Sequence, residues 1–187
     1  MVVPEKATKD DPEGFVSLDA LRAQATVSPS AAEFERSRPH PVLVMMEGSQ
    51  PASATGKKSP SASAFLIATL EGKGASSSTH RYHGRATFVA KRPGNPFPNM
   101  VSIGRATSND IVIALETISK LHGYFLHEND AWYYTDYQST NGTVINDKRV
   151  AKGEKRLVQD GDRMELGLDI GAVFLLPRSL YERVRRG

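Results

Sequence analysis

Apolar positions along this chain come in two textures. Up to about residue 81 they form isolated patches between polar gaps, and from residue 82 they recur as short runs separated by turn residues. Residues 1–16 are polar, carry Pro4, Pro12 and Gly14, and are expected to form a mobile arm. Ser17 stands where it caps a short helix whose Leu18, Leu21 and Ala25 fall at helical spacing. Pro29-Ser30 opens a second short helix carrying Phe34, which Pro39 and Pro41 stop. Val42–Met46 and Phe65–Leu70 are apolar runs of strand length, placed to pair across residues 47–64, whose Gly, Ser, Ala, Pro and Lys content reads as a flexible loop. Residues 73–80 form a further Ser-rich gap.

The second half predicts strands over 85–91, 99–104, 110–114, 123–128, 131–137, 143–146, 149–150, 163–166 and 171–176. Turn chemistry falls between them: Arg92-Pro93-Gly94-Asn95-Pro96, Glu128-Asn129-Asp130, and Asn146-Asp147 and Asp160-Gly161 where two-residue hairpins need positive φ. Pro177 ends the last strand, and Ser179 is placed to cap a terminal helix with Leu180, Tyr181 and Val184 facing inward. The pattern is that of an all-β sandwich decorated by helices at both ends.

Composition narrows the function more than the fold. With 187 residues the chain can bury a real core, and the net charge of +3 (24 basic, 21 acidic) gives no argument for nucleic acid. Zero cysteines exclude disulfides, thiolate metal sites and cysteine nucleophiles together. The charged N-terminus lacks the apolar run of a signal peptide, and no stretch approaches the ~20 apolar residues of a spanning helix. A cytoplasmic protein without a membrane role is the expectation.

Candidate chemistry sits in the turns. Gly104-Arg105 closes an apolar strand: the glycine lets the backbone turn, and the arginine offers a planar fork of donors matching two phosphate oxygens. Asn109-Asp110, before Ile111-Val112-Ile113, is expected to bond the loop's own backbone. In Ile118-Ser119-Lys120-Leu121-His122, Ser119 projects a hydroxyl and Lys120 a mobile charge. His122 reads as a hydrogen-bonded brace, because no Gly-x-Ser-x-Gly elbow and no acid mark a triad. In Ser139-Thr140-Asn141-Gly142-Thr143, Gly142 permits an unusual backbone and Asn141 offers a donor and an acceptor.

These strings, with Gly161-Asp162, resemble in order and spacing the forkhead-associated (FHA) domain over residues 82–176. The resemblance implies an FHA-type β-sandwich of about eleven short strands that binds phosphothreonine peptides. It makes Arg105, Ser119 and Thr140 phosphate contacts, Asn141 the contact to peptide backbone, and Lys120 a secondary contact. Gly104, Asn109, His122 and Gly142 become scaffold, and Gly161-Asp162 marks a late turn far from the site. Asp147 departs from the glycine usual after Asn146. The division expected is an arm with short helices (1–40), lead-in strands and loops (41–81), the FHA domain (82–177) and a C-terminal helix (178–187).

The implied function is a phosphothreonine-dependent adaptor in Ser/Thr kinase signalling, with no catalytic residues, metal or cofactor. A structural FHA protein that binds phospho-independently through another surface is the alternative. Thr8, three residues before Asp11 on the arm, is placed to act when phosphorylated as an intramolecular ligand for Arg105. His80 and His83 lack the further ligands a metal needs, and Lys57-Lys58 lacks P-loop spacing. Arg183, Arg185 and Arg186 suit the C-terminus of a helix.

Overall fold

The computed structural model describes residues 12–47, 81–95, 97 and 99–186. Thr8, His80, Lys57-Lys58 and the expected Phe65–Leu70 strand lie outside these. Among these described residues, twelve strands and three helices run in the order β1 (Val16–Ser17), α1 (Leu18–Val27), α2 (Ala31–Ser37), β2 (Val42–Glu47), β3 (Arg85–Phe88), β4 (Met100–Gly104), β5 (Ile111–Val112), β6 (Gly123–Glu128), β7 (Ala131–Asp136), β8 (Thr143–Ile145), β9 (Lys148–Arg149), β10 (Lys155–Val158), β11 (Arg163–Leu166), β12 (Ile170–Leu175) and α3 (Pro177–Arg186). They build a seven-stranded sheet, β1-β3-β2-β12-β11-β8-β9, facing a five-stranded one, β10-β7-β6-β4-β5.

Between the sheets lies a core of Leu43, Met45, Val101, Ile103, Ile111, Phe125, Tyr134, Met164 and Phe174, among others. A second apolar cluster covers the other face of the seven-stranded sheet, where Leu21, Phe34, Leu180, Tyr181 and Val184 pack on Val42, Val44, Met46, Val173 and Leu175. This explains why β2 and β12 read as unbroken apolar runs: alternate side chains enter different cores, so neither face meets water. The helices from both chain ends therefore form one third layer. β2 pairs with β12 along its length and with β3 through Val42–Val44, which places it inside the sheet.

The helix starts follow the expected chemistry, with Ser17 Oγ accepting from Ala20 N (3.1 Å) and Ser30 Oγ from Glu33 N (3.3 Å). Other expectations need correction. Phe15 is no part of a mobile arm: it is buried edge-on against Tyr82, 5.2 Å between ring centres. The last helix begins at Pro177, whose fixed φ and missing N–H suit a first turn. Ser179 Oγ instead donates to Asp160 Oδ2 (2.6 Å). Asp160-Gly161 closes no hairpin, since β10 and β11 belong to different sheets, and of the pair only Gly161 has positive φ (85°). Asn129-Asp130 (50° and 59°) and Asn146-Asp147 (49° and 63°) do take the left-handed conformations a tight hairpin requires. β10 was not predicted, because Lys155-Arg156-Leu157-Val158 lacks apolar alternation and its ladder with β7 supplies the order.

Candidate functional site

Three loops meet where β4 ends, where β6 begins and where β7 passes to β8. Their meeting depends on Gly104, though not as a turn residue. A Cβ there would stand 2.4 Å from Lys120 O, 2.9 Å from Asn109 Nδ2 and 3.0 Å from His122 N, so only glycine lets the loops touch. Across that contact Arg105 N donates to Ser119 O (2.9 Å), Ala106 N to Lys120 O (3.1 Å) and His122 N to Ile103 O (2.9 Å). Buried Asn109 bonds its own loop at Ala106 O (2.8 Å) and also reaches Lys120 O (2.6 Å).

His122 joins the remaining loop. Its Nδ1 accepts from Ser119 N (3.3 Å), so Nε2 carries the proton and donates to Gly142 O (3.2 Å). Burial pushes its pKa below the usual histidine value, against the opposing pull of Asp136 and Gly142 O. A neutral, fixed imidazole suits a brace.

Beneath the Ser139–Thr143 turn, buried Asp136 accepts from Ser139 N (2.8 Å) at Oδ1. Its Oδ2 accepts from Ser139 Oγ (2.7 Å) and Thr143 Oγ1 (2.9 Å). Ser139 Oγ in turn accepts from Gly142 N (2.9 Å), and the Tyr134 hydroxyl lies 3.0 Å from Thr143 Oγ1. With the Thr143 proton given to Asp136, Tyr134 is the donor in that last pair. Burial raises the Tyr134 pKa far above the ordinary phenol value. Sequence reasoning missed Asp136, although the Asp136-x-x-Ser139 spacing is the pattern of a side chain organising its own turn.

Asp110 was expected to act locally and instead ties the Lys91–Asn95 segment to β4. It accepts from Ser102 N (2.8 Å), Arg92 N (2.8 Å), Asn95 Nδ2 (2.7 Å) and Lys91 Nζ (3.1 Å). Burial alone would raise its carboxyl, and these donors more than offset that, holding it below the usual carboxylate range. Farther along, Arg81 Nη2 donates to Ala114 O (2.7 Å) and Ala114 N to the Tyr82 hydroxyl (2.7 Å), bracing the approach to Ser119.

On this frame the five expected contact residues share one pole. Arg105 is exposed, and its Nε donates to Ile118 O (3.2 Å), which fixes the side chain while the terminal nitrogens bond nothing among the described residues. Ser119 Oγ accepts from Thr140 N (3.0 Å) and lies 3.4 Å from Thr140 Oγ1, too long to hold the proton tightly. Asn141 Nδ2 donates to Thr117 O (2.8 Å), leaving Oδ1 and one N–H open among the described residues. The Lys120 side chain is exposed. Neither Arg105 nor Lys120 pairs with a carboxylate among the described residues, whereas Lys91, Arg92, Lys155 and Arg163 do. The result is a positive, hydroxyl-lined surface on immobilised backbone, chemically suited to a polyanionic oxygen group. Among the described residues no three His, Cys, Asp or Glu cluster as metal ligands, and no helix is long and apolar enough to cross a membrane.

A β-sandwich displaying such loops defines a class of binding module, and comparison identifies it. The family model of the FHA domain matches residues 101–167, and the chain carries an FHA domain. It is 35% identical over 78 residues to germ layers disorganized gldi-3 of Caenorhabditis elegans, covering 35% of this chain and 8% of that protein. It is 32% identical over 76 residues to protein FraH of Nostoc sp., covering 41% of this chain and 24% of that protein. The chain thus spans under a quarter of the length of either relative. A solution structure of an FHA domain from Arabidopsis thaliana is also similar, with TM-score 0.49, 18% identity, and 74% and 86% of the two chains covered.

Proposed function

We propose that this loop pole binds phosphothreonine-containing peptides. FHA domains are non-catalytic binding modules, and the observation that carries the reading is Arg105 and Lys120, which no carboxylate among the described residues pairs with, beside the Ser119–Thr140 hydroxyl pair. A phosphate brings about −1.5 to −2 charge and three acceptor oxygens, the complement of that surface. In this reading Arg105, Ser119 and Thr140 hold the phosphate, Lys120 adds charge, and Asn141 reads the peptide main chain with its open amide atoms. Gly104, Asn109, His122 and Gly142 hold the loops. The binding unit is residues 82–177, with β2 contributing to its sheet, and the protein serves as a cytoplasmic adaptor in Ser/Thr kinase signalling.

Arg105→Ala tests this. The side chain is exposed, so the fold should survive, while each charged hydrogen bond removed is worth ~1.5–3 kcal/mol. Calorimetry with a phosphothreonine peptide library should show affinity falling at least ~100-fold. Unchanged affinity would sink the assignment. A second, phospho-independent reading draws on the five-stranded sheet, where Leu157 of β10 and Tyr137 just after β7 are 45% and 57% exposed. Affinity purification with and without phosphatase treatment separates the two, since partners surviving phosphatase favour the second.

A further inference from the structure

Beside the phosphate loops stands a guanidinium with no part in the reading so far. The β8–β9 hairpin turns at Asn146-Asp147, which sets Arg149 opposite Val144. Its side chain therefore leans toward the diagonal neighbour, Gly142. Arg149 Nη2 donates to Asn141 O at 3.0 Å. The guanidinium also rests directly on Gly142, where a Cβ would stand 2.3 Å from Nη2 and 2.7 Å from Cζ. Gly142 consequently has two duties: a φ of +84° and room for this arginine.

Arg149 is nonetheless exposed, and no carboxylate among the described residues pairs with it. One N–H of the five in the fork is engaged, and the rest have no partner among the described residues. A guanidinium fixed in advance by a hydrogen bond and a flat contact loses little freedom on meeting a ligand. Lys120, by contrast, has an exposed side chain with no bond of its own among the described residues, so it attracts negative charge without fixing where that charge sits. Arg149 adjoins Asn141, so its open donors face whatever flanks the phosphothreonine on that side.

We infer that Arg149 is a specificity-determining residue that selects an aspartate or glutamate side chain next to the phosphothreonine, on the Asn141 flank. The inference rests on the phosphopeptide reading. The test uses the full chain and phosphothreonine peptides in which aspartate, alanine or lysine is scanned through each flanking position, with affinity read by fluorescence polarisation. At one position aspartate should bind about 10-fold tighter than alanine, and lysine weaker still. Arg149→Gln should bind the aspartate and alanine peptides equally, and Arg149→Glu should come to prefer lysine there, with melting temperatures unchanged. Binding with a flat scan in the wild type overturns the inference alone. So does an aspartate preference that survives in Arg149→Gln. An equal loss of all phosphopeptides in that variant would reduce Arg149 to a brace for the Asn141 turn. No binding of any phosphothreonine peptide by the wild type overturns the phosphopeptide reading, and this inference with it.

Discussion

Replacing Gly104 by alanine should damage the loops by steric contact alone, without altering the side chain of any candidate contact residue. The added Cβ would lie 2.4 Å from Lys120 O, so reaching ordinary contact needs a displacement of roughly 1 Å. Either β4 or the Ser119–Lys120 segment must give way. In both cases the bonds from Ala106 N (3.1 Å) and Asn109 Nδ2 (2.6 Å) to Lys120 O stretch or break. Overpacking of this kind costs ~1–3 kcal/mol. The same shift carries Ser119 away from Arg105, and a site loosened by ~1 Å loses much of its function, so phosphopeptide affinity should fall by ~10- to 100-fold. Urea denaturation gives the first quantity and calorimetry the second. Gly153→Ala is the control: it has φ +78° and nothing within 4 Å of its Cβ, and its N–H to Asp136 O (2.9 Å) is a main-chain bond that the substitution keeps. It should lose ~1 kcal/mol of stability and no affinity. If Gly104→Ala matched wild type in both measurements, the close-contact account of the pole would be wrong.

Three further outcomes follow from the buried groups. Asp136→Asn removes one acceptor and turns an amide toward three donors, and should lower urea stability by ~2–4 kcal/mol. His122 is held below its usual pKa in the fold, so the unfolded chain binds the extra proton first. Stability should therefore fall as pH drops below ~6.5, and the slope should flatten in His122→Asn, as thermal melts from pH 7.5 to 5 would show. Leu180→Ala opens the helix layer, costing ~2–5 kcal/mol in denaturation while leaving phosphopeptide affinity unchanged, since α3 lies behind the seven-stranded sheet.

The order of the binding strings was legible because loops that hold a ligand keep distinctive residues at fixed intervals. What joins them was not. Asn141 meets Thr117, 24 residues away, and His122 meets Gly142, 20 away, through side-chain-to-backbone bonds that no local period announces. Gly104 read as a turn residue because close approach and unusual φ look alike in one letter. β2 was legible as a strand, but an apolar run cannot say which partners cover its two faces. Asp136 stayed hidden since an acid ending an aromatic strand usually points to solvent, and Arg149 because a lysine-arginine pair in a hairpin looks like ordinary surface.

One consequence of the sheet register concerns how the chain is tethered. Glu47, at the end of β2, aligns with Ile170, which aligns with Leu166 and then Thr143, so β2 leaves the sheet at the loop pole. Arg81 and Tyr82, where the described chain resumes, bind Ala114 at the same pole. Glu47 and Arg81, the described residues on either side of 48–80, therefore both stand at the loop pole. A phosphothreonine motif engineered between those two positions would be presented to the site in cis, in competition with ligands supplied in trans.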